Sequence, residues 1–385
     1  MNRITRRKVL GYSLALPLFS RKLLAGEKPG NTETGSIPGL NNPLVINNLG
    51  FLANPNLPGY EISAPTSNLD TRTITDIVAS GTTAVNVTIG YVAGNVEPFE
   101  YSVQSISNWN RLIRENSNHL LKVWGTEDIR KAQRENKVGI IMGFQNSLML
   151  GDKPERVTTF ADLGVKVIQL TYNLRNKVGD GSMVKENRGL TRLGHDIVEA
   201  LNENNTLVDL SHSGEQTCLD AIRASSKPVA ITHTGCRALA DTPRNKTDAE
   251  LRLLSDRGGM VGIYFMPFLK ENSFPEAVDI VRHIEHAIKV CGEDHVGIGT
   301  DGLTTAVDDM DAYQSALRIE HEMRKKAGIA AKGEKPGVTP FIPDIQGPGQ
   351  FQQLADMLHS RGHSSQRIEK ILGLNSLRLF RDVWG

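Results

Sequence analysis

From residue 43 onward the chain repeats one unit: a short apolar, β-branched run, a loop, and a stretch of helical periodicity. The runs fall at residues 44–47, 83–89, 138–144, 165–171, 207–211, 229–232, 260–264 and 295–300, which makes eight. Helical patterns lie between them at 193–204, 218–224, 248–257 and 277–290, several preceded by an Asp, Ser or Thr able to cap a first turn. Strands that alternate with helices pair in parallel, because each crossover returns the chain to the same end of the sheet. Runs such as Gly-Ile-Ile-Met-Gly-Phe at 139–144 have no polar face, so both of their faces must be covered. Eight such units favour closing the sheet, and the spacing predicts one (β/α)8 TIM barrel over 43–385 with a C-terminal helical extension. No Gly-x-Gly-x-x-Gly turn follows the first run, which argues against an open dinucleotide-binding sheet. A Gly/Pro-rich segment at 333–349 is expected outside the barrel or partly over its mouth.

With 385 residues, 39% of them hydrophobic, the chain can bury a core of that size. Its 44 basic and 43 acidic side chains nearly cancel, so nothing directs it to nucleic acid, a membrane surface or polyacidic ligands. Cys218, Cys236 and Cys291 are too few and too scattered for a disulfide framework or a metal knuckle and read as buried thiols. At the N-terminus Arg3, Arg6, Arg7 and Lys8 precede an apolar run at 9–19, shorter than the about 20 apolar residues a membrane span needs. No transmembrane span is expected. The Thr-Arg-Arg-Lys-Val-Leu string at 5–10 resembles a twin-arginine export signal. Residues 1–26 are therefore expected to be a signal segment directing the protein to the periplasm, a basic tail before an apolar anchor being the alternative, and residues 27–42 a linker.

In a barrel of this kind the loops that follow the strands gather at one mouth, so the residue just past each run faces the place where chemistry is done. Those residues are Asn47 and Asn48 after the first run, Gln145 and Asn146 after the third, and Tyr172 and Asn173 after the fourth. His212, His233, Tyr264 and Asp301 follow the remaining four. His212 and His233 hold equivalent places on adjacent strands about 5 Å apart, so both imidazoles could reach one ion at about 2.0–2.1 Å. Either could instead be a hydrogen-bonded structural histidine. Asp301, ahead of Gly302, could ligate a metal, carry a proton, or cap the next helix. Arg244, in the loop after the sixth run, suits a substrate carboxylate or stands in water.

Taken in order, Val-Asp-Leu-Ser-His at 208–212, Pro-Val-Ala-Ile-Thr-His at 228–233, Pro-Arg-Asn at 243–245 and Val-Gly-Ile-Gly-Thr-Asp-Gly at 296–302 resemble the membrane (renal-type) dipeptidase family of zinc peptidases. Leu-Thr-Tyr-Asn at 170–173 and Gly-Leu-Asn-Ser-Leu-Arg at 373–378 extend the resemblance over most of 44–383. The resemblance implies a metallo-dependent hydrolase barrel with two zinc ions that cleaves dipeptides through a metal-bridging water. It makes His212 and His233 ligands of one zinc, Arg244 the holder of the substrate carboxylate, and Asp301 the group serving the substrate amine or proton transfer. The chain departs from the family where the first strand should carry His-x-Asp and instead reads Ile46-Asn47-Asn48-Leu49-Gly50-Phe51. Gln145 stands for the bridging glutamate, and Tyr172 for the substrate-binding histidine.

A neutral amide bridges two dications poorly. The expectation is therefore a single zinc on His212 and His233 with Gln145 as a weak third ligand, Asp301 as the catalytic group, and Arg244 and Tyr172 facing a dipeptide or small amide. Barrels of this class often pair, and a homodimer is an open expectation. Two other readings stand beside this one: an inactive small-molecule binding protein of the same fold, and a hydrolase of another bond such as a lactone.

Overall fold

The computed structural model describes residues 37, 39–62, 66–271, 273–331 and 334–385. The signal segment expected over 1–26 lies outside them, as does most of the expected linker, of which Ile37 and Leu40 are buried in the main apolar core. All eight apolar runs are strands: β1 (Val45–Asn47), β2 (Thr82–Thr88), β3 (Val138–Phe144), β4 (Val165–Gln169), β5 (Leu207–Asp209), β6 (Ala230–Thr234), β7 (Met260–Ile263) and β8 (Val296–Ile298). They pair in parallel in chain order, and Asn47 of β1 closes on Ile298 of β8. The result is the closed (β/α)8 barrel that the run pattern predicts. A short strand that the pattern does not reveal, Leu120–Lys122, lies along the first half of β3 on the edge that β4 takes from Met142 onward.

The covering helices are α1 (Thr71–Ala79) after β1, α2 (Pro98–Glu115) and α3 (Thr126–Glu135) after β2, and α4 (Arg156–Asp162), α5 (Arg192–Glu203), α6 (Glu215–Ala224), α7 (Asp248–Asp256) and α8 (Ala277–Cys291) after β3 to β7. After β8 come α9 (Met310–Lys326), α10 (Gln350–Ser360), α11 (Ser365–Glu369) and α12 (Asn375–Trp384). Side-chain caps start several of them. Thr191 Oγ1 accepts from the Gly194 N–H at 3.1 Å, and Thr247 and Glu250 cap α7 reciprocally. α12 has a structural task that the run pattern does not disclose. One buried residue from each of seven strands, Ile46, Ala84 and Ile141 among them, packs with Leu379, Phe380 and Val383 of α12. The helix thus closes the barrel at the strand starts, leaving the opposite end for a site. Among the described residues no helix is long and apolar enough to cross a membrane.

The strand that carries His233 is irregular at that residue. Ile231 pairs with Val261 but Thr234 with Ile263, so β6 spends one more residue than β7 over the interval, and Thr232–His233 form a bulge. The bulged Thr232 carbonyl presses against β7 and the residue just after β8: a Cβ on Gly262 would lie 2.1 Å from that oxygen, and one on Gly299 2.0 Å. Only glycine leaves room there. Gly262→Ala is accordingly expected to lower stability by about 1–3 kcal/mol, read from the midpoint of denaturant unfolding. A midpoint equal to that of the unsubstituted protein would show that the bulge is not held this way.

Candidate active site at the barrel mouth

The site is assembled from the β5–β6 seam upward. Asp209, at the end of β5, is buried and accepts four hydrogen bonds: from the Ser211 N–H (3.0 Å) and hydroxyl (2.5 Å), and from the Thr232 N–H (3.0 Å) and hydroxyl (2.7 Å). Burial pushes its carboxyl above the usual range, while these hydrogen bonds pull it down. Because the Thr232 hydroxyl gives its proton to Asp209, it can only accept from His233 Nδ1, 2.9 Å away. His233 therefore carries its proton on Nδ1 and a lone pair on Nε2. That Nε2 is buried and has no hydrogen-bond partner among the described residues.

His212 is prepared in the same way. Its Nδ1 lies 2.7 Å from Asn173 Oδ1, while the Asn173 amide nitrogen donates to the Ile329 carbonyl, so Oδ1 accepts and Nε2 is again the lone pair. Burial drives both imidazoles well below the ordinary histidine range, with the Arg244 guanidinium adding to the effect. Both rings are neutral, and their centroids stand 5.0 Å apart.

Arg244 is the group that sequence placed least well. It is only 2% exposed, with Nη1 donating to the Ser211 carbonyl at 2.5 Å and Nη2 to His212 Nε2 at 3.2 Å. Thus the lone pair that would bind a metal on His212 is taken by a guanidinium. Tyr172 stacks on the His212 ring at 4.2 Å and, on its other side, accepts from Arg324 Nη2 of α9 at 3.3 Å. A cavity of about 390 Å³ opens above, lined by Gln145, Tyr172 and Asp301 together with Thr88, Arg324 and Glu334; His212, His233 and Arg244 are not part of its wall. The six expected site residues thus occupy two tiers, with Tyr172 between them.

Asp301 does not cap the following helix, whose first turn is capped by Asp309. It holds a left-handed backbone (φ 54°), with its N–H on the Leu49 carbonyl at 2.9 Å, and burial pushes its carboxyl up to about 7 against the pull of Arg244 and Arg324. Gln145 donates to Thr88 Oγ1 at 2.7 Å. Asn47 and Asn48 are spent on the barrel closure: Asn47 exchanges hydrogen bonds with Thr300, and Asn48 donates to the Ile298 carbonyl at 2.7 Å. Arg324 escapes a strand-end reading because it lies in a basic run, Arg324-Lys325-Lys326, that looks like an ordinary solvated helix end.

These features can be set beside known proteins. The membrane dipeptidase (peptidase family M19) model matches residues 80–329. The chain belongs to that family. It is 32% identical to an amidohydrolase from Pseudomonas aeruginosa, with 89% of this chain and 97% of that one covered and a TM-score of 0.76. It is 25% identical to the dipeptidase tcpJ of Claviceps purpurea over 73% of its own length and 59% of that protein's. A metallo peptidase from Rhodobacter sphaeroides, liganded with a phosphinate mimic of L-Ala-D-Ala, shares the fold at 19% identity, with 89% of this chain and 100% of that one covered and a TM-score of 0.70.

Membership of a metallopeptidase family implies a metal cofactor. Two neutral imidazoles whose Nδ1–H groups are held by oxygens and whose Nε2 atoms carry the lone pairs are what such an ion takes, but only the His233 Nε2 is unpartnered among the described residues. The donor set ends there. Among the described residues no cluster of three or more His, Cys, Asp or Glu side chains is placed to hold a metal, and a cation on His212 would meet the Arg244 guanidinium. These residues do not fit a complete metal centre. Removing the competing guanidinium is expected to improve the fit: Arg244→Ala should raise zinc affinity roughly tenfold or more, the worth of one charged hydrogen bond and its repulsion. Zinc titration by calorimetry checks this, and equal affinities in the two proteins would count against it.

Proposed function

We propose that the chain is a hydrolase that cleaves a dipeptide or small amide in the cavity at the barrel mouth, with Asp301 as the group that moves the proton. The observation that carries this reading is a carboxyl poised at about 7 on the wall of that cavity, where a general base operates best near neutral pH. Membership of the dipeptidase family supports the bond type. As a water oxygen bonds to the carbonyl carbon, ionised Asp301 takes the water's proton; as the C–N bond breaks, it returns that proton to the departing amine nitrogen. Tyr172 and Arg324 line the same cavity and offer a hydroxyl and a guanidinium to the substrate carboxylate or to the developing oxyanion. A single zinc on His212 and His233 would require Arg244 to leave His212 and a further ligand to be recruited, so no step is assigned to a metal.

The incomplete donor set favours a second reading, in which the cavity binds such a molecule without cleaving it. Ligand-dependent thermal stabilisation with no product separates the two. In the hydrolytic reading, Asp301→Asn is expected to lower kcat by about 10²- to 10⁴-fold on a dipeptide panel run beside esters and lactones. Because the ionised carboxylate is the active form, kcat/KM should fall as pH drops below about 7. A flat profile on both sides of that value, with activity kept in Asp301→Asn, would remove Asp301 from the chemistry.

A further inference from the structure

The cavity is larger and more aromatic than cleavage of a small dipeptide requires. Eight of its 35 lining residues are aromatic, in a chain where aromatics make up only 5%. Its long wall is one face of α9: Tyr313, Leu317, Glu320 and Arg324 all line it, at the four-, three- and four-residue steps that place side chains in a single stripe. The eleven helical steps from Tyr313 to Arg324 rise about 16 Å, whereas a two-residue backbone spans at most about 7 Å. A dipeptide core held near Asp301, Tyr172 and Arg324 therefore leaves the far half of the cavity to something else.

That far half is an aromatic recess. Tyr60 stacks on Tyr313 at 6.4 Å, and Phe341 meets Tyr313 edge-on at 5.5 Å. Burial pushes the Tyr60 hydroxyl up to about 12, so the ring presents a neutral surface. Phe341 comes from the Gly/Pro-rich segment after α9, which thus supplies part of the cavity wall. We infer that the site takes amides bearing an aromatic ring, on a side chain or an N-acyl group, with the ring seated against Tyr60, Tyr313 and Phe341. This rests on the hydrolytic reading only in naming the amide as the anchored end.

Calorimetric titration of the purified full chain with Phe-Ala, Ala-Phe and Ala-Ala tests it by binding alone, independently of turnover. At least one of the phenylalanine dipeptides is expected to bind roughly tenfold or more tightly than Ala-Ala, from burial of one phenyl ring. That ratio should collapse toward one in Tyr313→Ala and in Phe341→Ala. The half-buried Phe341 provides a variant that disturbs the core less than the buried Tyr313, and thermal unfolding confirms that each variant is folded. Equal affinity for all three dipeptides, a preference surviving both substitutions, or no binding of any of them overturns the inference. Preference without product would sink the hydrolytic reading and leave this one standing; product without preference would do the reverse.

Discussion

The site depends on one buried carboxylate that is not part of the cavity wall. Asp209 draws four donors from Ser211 and Thr232 and so locks the ends of β5 and β6 together just below the mouth. Burying a carboxylate is costly unless its oxygens are hydrogen-bonded, and here two of the donors are backbone N–H groups that cannot rotate away. Thr232, having given its proton downward, can only accept from His233. The tautomer of His233 is thus dictated by a residue two bonds removed, and the bulge at Thr232–His233 gives the ring its direction. His212 reaches the same tautomer independently through Asn173, so each imidazole keeps its lone pair on Nε2.

The surroundings of the two lone pairs differ. Two imidazole lone pairs invite a cation, and the cation supplied by the chain is Arg244 on His212. A guanidinium satisfies a neutral imidazole by hydrogen bonding but cannot polarise a water as a dication does. In the upper tier Asp301 shares the cavity with Tyr172 and Arg324. Tyr172 joins the tiers, with one face on His212 and its hydroxyl on Arg324. The Tyr172 ring thus covers His212 on the side toward the cavity.

The barrel is legible in the sequence because each strand is buried on both faces, and the β-branched composition of the runs at 83–89 and 138–144 needs no tertiary information to be recognised. The strand-end rule then names Gln145, Tyr172, His212, His233 and Asp301, since topology alone puts them at the mouth. It cannot say which side chains share a wall. Asn173, also at a strand end, has no role until its oxygen is seen against His212. Arg324 is concealed because its place on the inner face of α9 follows from how that helix crosses the mouth, not from local pattern. The short strand at Leu120–Lys122 is hidden for a different reason: three residues beside β3 carry too little periodicity to announce themselves.

Arg244 and Asp301 also constrain each other. A guanidinium exposed by only 2% needs counter-charge, yet its hydrogen bonds go to a carbonyl and a neutral imidazole. The Coulomb influence of Arg244 on Asp301 favours the ionised carboxylate, burial favours the protonated one, and burial prevails until about pH 7. Deprotonating Asp301 therefore gives Arg244 the negative charge that its own contacts lack. Had Arg244 been paired with a carboxylate of its own, its pull on Asp301 would be weaker and the Asp301 carboxyl would sit higher. Among the described residues no carboxylate pairs with the buried guanidinium, and its pull is thus part of what holds the Asp301 carboxyl near 7.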